Sequence, residues 1–195
     1  NHIQDRDKDA IMPRTSNRPI PSGDLSTSMA LLIGLSEIIV GSILLYIGSG
    51  FLAMQLGILA LIWYNGIYTP LKRKTAFAVI PGSIIGAIPP LVGWVAAGGS
   101  IADPKAMVLG LFFFMWQVPH FWLLMLKYGE EYNKAGFPSI TSKISKQQVK
   151  NSTFLWTVAT AVSALMVAMS GLISLLIFKV LILAASIWLI VVFSR

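Results

Sequence analysis

Six long apolar runs decide what this chain can become. They cover roughly residues 29–47, 51–68, 77–97, 106–127, 153–170 and 172–193, and each is nearly free of charge. A hydrocarbon core about 30 Å thick requires about 18 to 25 such residues per helical crossing. The chain therefore reads as an all-α, polytopic transmembrane helical bundle. Residues 1–24 form a polar, aspartate-rich flank, and 25–195 form the bundle, with exposed loops at 69–76 and 128–152. Composition agrees: of 195 residues 55% are hydrophobic and only 12% charged, a balance far from that of a soluble domain.

Lysine and arginine concentrate on the cytoplasmic side of a membrane protein. If the segment before residue 25 is cytoplasmic, alternation puts 69–76, 128–152 and the C-terminus on the same side. Thirteen of the 15 basic residues then fall there, from Arg6 through Lys72, Arg73, Lys74 and Lys127 to Arg195. Only Lys105 lies opposite, and Lys179 lies within a span. The expected location is the inner (plasma) membrane, multi-pass, with these loops cytoplasmic. The net charge of +7 is thus a topology signal; with no soluble basic domain to carry it, it gives no ground for a nucleic-acid partner. No cysteine is present, which excludes disulfides and thiolate chemistry.

Connections between the runs are short at 48–50 and near Gly171, so spans one and two, and spans five and six, are expected to be antiparallel neighbours. Pro81, Pro89 and Pro90 break up the third span. Pro19, Pro21 and Gly23 stop any helix begun at Asn1.

Asn1, Asp5 and Asp9 recur every four residues, so on a helix they line one face. Hard oxygen ligands in that arrangement suit Mg²⁺, which is commonly held by one or two carboxylates plus substrate phosphates. Arg14, Arg18, Lys72, Arg73 and Lys74 supply cations that would clamp a diphosphate and neutralise it as it leaves. The plainer readings are a solvated juxtamembrane helix and ordinary positive-inside anchoring. Against them, Asp5, Asp7, Asp9, Asp24, Glu130 and Glu131 share the basic side, and acids contribute little to topology.

His120 lies in the fourth run within Trp116, Gln117, Val118, Pro119, His120, Phe121 and Trp122. At that depth a polar side chain usually faces a bundle interior, with a hydrogen bond, proton relay or iron ligation as its options. Trp63, Tyr64, Tyr68, Trp94 and Trp156 read as interface belt residues.

The stretch NHIQDRDKDAIMPRTSNRP at 1–19 resembles the first aspartate-rich motif of the UbiA-type prenyltransferases. Its R-T-x-x-R-P continuation at Arg14, Thr15, Arg18 and Pro19 is similar to that of the haem-farnesylating branch. YTPLKRKT at 68–75, GAIPPLVGW at 86–94 and WQVPHFWLLMLKYGEEYNKAG at 116–136 resemble that branch's later blocks, in order. Two departures stand out: His2 occupies a position where the family commonly has aspartate, and Glu130 and Glu131 replace the usual aspartates of the second acidic motif.

The resemblance implies nine helices around a central cavity, so that this chain holds six, the two before Asn1 and the last one being absent. It also implies farnesyl transfer from farnesyl diphosphate to haem B, giving haem O. In that scheme Asp5, Asp9, Glu130 and Glu131 hold Mg²⁺ on the diphosphate, with Asn1 beside them. Arg14, Arg18, Lys72 and Arg73 neutralise the leaving group. Lys72 and Arg73, with Gln117, His120 and Tyr132, contact the bound substrates, and His120 and Gln117 orient the porphyrin. Haem A synthase or cytochrome oxidase assembly factors are the candidate protein partners. The rival readings are a prenyltransferase acting on a quinone precursor or chlorophyllide, and a non-enzymatic transporter or assembly subunit.

Overall fold

The computed structural model describes residues 1–194, so Arg195, counted above with the basic flank, lies outside the described residues. Every regular element among them is helical. In chain order these are α1 (His2–Asp9), α2 (Thr27–Ile62), a π-helical turn (Trp63–Tyr68), α3 (Thr69–Lys72), α4 (Val79–Gly82) and α5 (Ile84–Ala96). They are followed by α6 (Pro104–Lys134), a 3₁₀ turn (Ile140–Ser142), α7 (Lys146–Met169) and α8 (Leu176–Phe193). Five helical stretches are long and apolar enough to cross a bilayer: Thr27–Lys72, Val79–Ala96, Pro104–Lys134, Lys146–Met169 and Leu176–Phe193. The protein is a multi-pass membrane protein.

The sixth expected span lies inside the first of these stretches. Gly50 adopts φ 85° and ψ 175°, a backbone conformation that side-chain-bearing residues rarely reach. The chain reverses there, and a β-carbon on Gly57 would come within 2.9 Å of Leu45, on the other side of the turn. Two antiparallel arms result, as the short 48–50 connection requires.

Polar caps set the other helix starts. Ser26 accepts from the Met29 amide at 3.2 Å, Asp103 from the Lys105 amide at 2.9 Å, and Ser145 forms a reciprocal capping box with Gln148. The third span is interrupted only near the first of its three prolines, Pro81, where α4 ends at Gly82 and α5 begins at Ile84; the break expected at Pro89 and Pro90 does not occur. Pro89 and Pro90 are both carried inside α5.

The 128–152 stretch, expected as one loop, is helical at both ends, because α6 runs on to Lys134 and α7 begins at Lys146. Lysine and glutamate are good helix formers once the backbone has left the bilayer. The connection proper is residues 135–145.

Two small cores fix the basic end of the bundle. Val79, Val118, Trp122, Ile140 and Val149 tie α4, α6, the 3₁₀ turn and α7 together. Met12, Ala135 and Phe137 hold the turn after α1 against the end of α6. Elsewhere the surface is apolar, as on α8, where Leu176, Ile177, Leu181 and Trp188 are all exposed; in a bilayer these faces need no polar cover.

Gly82 leaves space that Tyr68 fills: a β-carbon there would lie 2.5 Å from the Tyr68 ring. Gly82→Ala is therefore expected to overpack α4 against the π-helical turn, costing about 1–3 kcal/mol. A lowered thermal unfolding midpoint in detergent, with Ser83→Ala as a neighbouring control, would register it.

Candidate active site

A cavity of about 250 Å³ opens at the basic end of the bundle. Its lining comes from five separate chain regions: α1, the turns that follow it, the π-helical turn with α3, α6, and Phe137 in the α6–α7 connection.

The acids come from α1. Four-residue spacing puts Asp5 and Asp9 on the inward face, and both are only 3% exposed. Asp7, two residues out of phase, points to solvent. Buried carboxylates require partners, and each has them. Lys72 and Arg73 both pair with Asp5, the Arg73 Nη2 at 3.2 Å. Arg18 Nη1 donates to Asp9 Oδ2 at 2.8 Å. The Asn1 amide sits among Asp5, Lys72 and Thr69; oriented to satisfy all three, its nitrogen donates to Asp5 Oδ2 at 3.3 Å and its oxygen accepts from Thr69 Oγ1 at 3.0 Å and Lys72 Nζ at 3.2 Å.

The R-T-x-x-R-P run reaches the cavity by folding back on α1. Thr15 is buried and donates to the Asp9 carbonyl at 2.9 Å. That bond directs Arg14 and Arg18, on either side of Thr15, to the cavity. Arg14 lies over the Tyr128 ring at 5.5 Å and reaches the Tyr132 hydroxyl at 3.5 Å.

A residue the sequence reading passed over, Lys8, locks α1 in place. Its ammonium donates to the carbonyls of Ala135 at 3.0 Å and Gly136 at 2.7 Å, just past the end of α6. A cation suits the unsatisfied carbonyls of a helix C-terminus. Lys8 also lies over the Phe137 ring at 4.7 Å.

Most of the expected site residues thus meet here: Asn1, Asp5, Asp9, Arg14, Arg18, Lys72 and Tyr132 line the cavity. Arg73 stands at its rim through Asp5.

Glu130 and Glu131 do not line it. Because α6 continues through them, neighbouring side chains diverge by about 100°; Glu130 is exposed and Glu131 half-buried. No group of three or more His, Asp or Glu residues within metal reach occurs among the described residues.

Gln117 fills the notch left by Gly86 on α5. His120 is exposed and stacks on Trp116 at 5.0 Å between centroids, one turn below Leu124, which does line the cavity.

Tyr64 and Tyr68, read as belt residues, instead line the cavity and stack on each other at 5.6 Å. They share a four-residue spacing with Lys72, and that register was the signal in the sequence. Phe121, Leu124 and Phe137 complete the apolar wall. An adjoining chamber of about 90 Å³ shares Tyr68, Lys72, Phe121, Tyr132 and Phe137 with the cavity and is otherwise lined mostly by apolar side chains, among them Val79, Trp122 and Met125.

Carboxylates and cations gathered beside aromatic side chains at one end of a membrane bundle suit a charged group carried on an apolar molecule. The family comparison agrees with that geometry: the model of the UbiA prenyltransferase family matches residues 1–195. This chain belongs to the UbiA prenyltransferase family. Among curated relatives, the protoheme IX farnesyltransferase of Geobacter sulfurreducens is 41% identical over 172 residues, covering 88% of this chain and 63% of that protein. That of Nitratidesulfovibrio vulgaris is 40% identical over 167 residues, 86% of this chain and 58% of the relative. That of Aquifex aeolicus is 38% identical over 181 residues, 92% and 62% of the two chains. This UbiA member therefore spans about three-fifths of the length of the curated relatives it matches. No solved structure matches it.

Proposed function

We propose that the protein to which this chain belongs transfers the farnesyl group of farnesyl diphosphate to a vinyl group of haem B, making haem O in the inner membrane, with the cavity on the cytoplasmic side. The observation that carries the reading is one cavity, walled by aromatic side chains, in which two buried carboxylates, Asp5 and Asp9, meet Lys72 and Arg18 directly and Arg14 joins them in the lining. The names of the relatives support the choice of substrates.

The residues fit a magnesium ion brought in with its substrate: two hard carboxylates beside cations able to hold the remaining phosphate oxygens. Asp5 and Asp9 would hold it, and bound there it would neutralise charge on the diphosphate. Glu130 and Glu131, which do not line this cavity, are left out of the pair proposed to hold it.

Arg14, Arg18 and Lys72 bind the diphosphate and stabilise the charge that develops as the C1–O bond breaks, the leaving group taking the electron pair. Tyr64, Tyr68, Phe121 and Phe137 exclude water, which would otherwise quench the allylic cation. The haem vinyl group then attacks C1. Water adds to the resulting porphyrin-side cation and loses a proton, giving the hydroxyethyl farnesyl product. His120 and Trp116, stacked one turn below the cavity, form the surface we assign to orienting the macrocycle, with Gln117 behind them on the α5–α6 contact. Haem A synthase or oxidase assembly factors are the protein partners this reading predicts.

The test is expression of the full-length protein in a bacterial strain lacking its own haem O synthase, followed by chromatography and mass measurement of extracted haems. Haem O is the expected product. Haem B alone, with folded protein in the membrane, would sink the reading; a prenylated quinone precursor would move it within the family.

A further inference from the structure

The ion pairs of the cavity put a cation wherever a metal–diphosphate reading would put the metal. Lys72 and Arg73 hold Asp5, and Arg18 holds Asp9. The acids lie deep, with 4% of each side chain exposed, while Lys72, Arg18 and Arg73 are 21%, 32% and 36% exposed and form the outer layer. Buried acids, each held by more exposed bases, form an arrangement that resists each half of its ligand separately. A divalent cation arriving alone would compete with Lys72, Arg73 and Arg18 for Asp5 and Asp9. A diphosphate arriving alone would draw those cations off and strand two buried carboxylates, which is costly. When both arrive together every charge keeps a partner: the acids exchange ammonium and guanidinium for the metal, and the cations exchange carboxylate for phosphate.

We infer that Lys72, Arg73 and Arg18 act as placeholders for the metal, so that divalent cation and diphosphate bind this site with strong mutual dependence and each binds poorly without the other. The inference rests on the metal–diphosphate reading of the cavity and adds a coupling to it. Coupling of this kind is reciprocal: the factor by which diphosphate tightens the metal equals the factor by which the metal tightens diphosphate. The packing makes the exchange local. Lys72 already lies 5.7 Å and 5.5 Å from the centres of the Tyr68 and Phe137 rings, faces on which an ammonium can rest as it leaves Asp5.

The test is calorimetric titration of the full-length protein in nanodiscs with Mg²⁺ alone, inorganic diphosphate alone in chelator, and both. The metal–diphosphate association measured in the same buffer is subtracted. The expected coupling is on the order of 10- to 100-fold. Lys72→Met removes one placeholder, so it is expected to tighten Mg²⁺ binding in the absence of diphosphate while weakening diphosphate. Arg18→Gln is expected to do the same through Asp9, and supplies the readout if Lys72→Met does not fold. A residue with a merely structural role would weaken both ligands. Independent binding of the two ligands, or weaker Mg²⁺ binding in both variants, overturns the placeholder role while leaving the metal–diphosphate reading standing. Failure of diphosphate to bind even with saturating Mg²⁺ overturns both.

Discussion

Asp5→Ala is expected to abolish turnover, lowering haem O formation by about 10³-fold or more, on the scale seen when a preorganised charge-stabilising group is removed. Asp5 is the point where the site converges: it is buried, it takes Lys72 and Arg73 together, and it borders the Asn1 amide. Losing it also frees two cations with nothing buried to hold them in place. Asp5→Asn preserves shape and one acceptor oxygen while removing the charge, so it separates chemistry from folding. Both variants are expected to insert and to be inactive. Substantial haem O from either would remove Asp5 from the metal assignment and leave Asp9 and the cations to hold the diphosphate.

Arg18→Met is expected to damage stability and activity through one contact. Asp9 would remain buried with its cationic partner gone. Breaking a fully buried pair costs about 3–5 kcal/mol, and because Arg18 is itself a third exposed we expect roughly 2–3 kcal/mol here. The clamp on the leaving group would be lost as well. Adding Asp9→Asn to Arg18→Met removes the stranded charge, so the double variant should regain most of the thermal stability and none of the activity. Thermal unfolding in detergent together with haem extraction reads both halves. If the double variant stayed as unstable as the single one, the Arg18–Asp9 pair would have no part in holding α1.

What the sequence made legible follows from which periodicities survive folding. Asp5 and Asp9 could be placed on one face because α1 is a regular helix, and that register is the one found. The apolar runs located the crossings for the same reason. Glu130 and Glu131 could not be placed that way. Their role came from the family resemblance and from no periodicity, and α6 holds them outside the lining of the cavity. Tyr64 and Tyr68 were hidden by a different cause. Aromatics near the end of a span have a sufficient explanation at the membrane surface, and the π-helical turn that aims them inward leaves no mark in composition. Nothing local to Lys8 announces that it meets carbonyls 127 and 128 residues away; such a contact is visible only once the bundle is assembled. Gln117 and His120 were found by depth, and depth alone does not say which neighbour a side chain takes.

Gly50 bears on the site although it lies at the turn between the two arms of α2, away from the cavity lining. Without the reversal there, the 36 residues of α2 would run on as a straight rod about 54 Å long, nearly twice the hydrocarbon thickness. Every later segment would then emerge with the opposite parity across the membrane. Lys72 and Arg73 would be delivered to one face and Asp5 to the other, with the insulating width of the bilayer between charges that now touch. One glycine with a positive φ thus bears on whether the two halves of this charge cluster share a compartment.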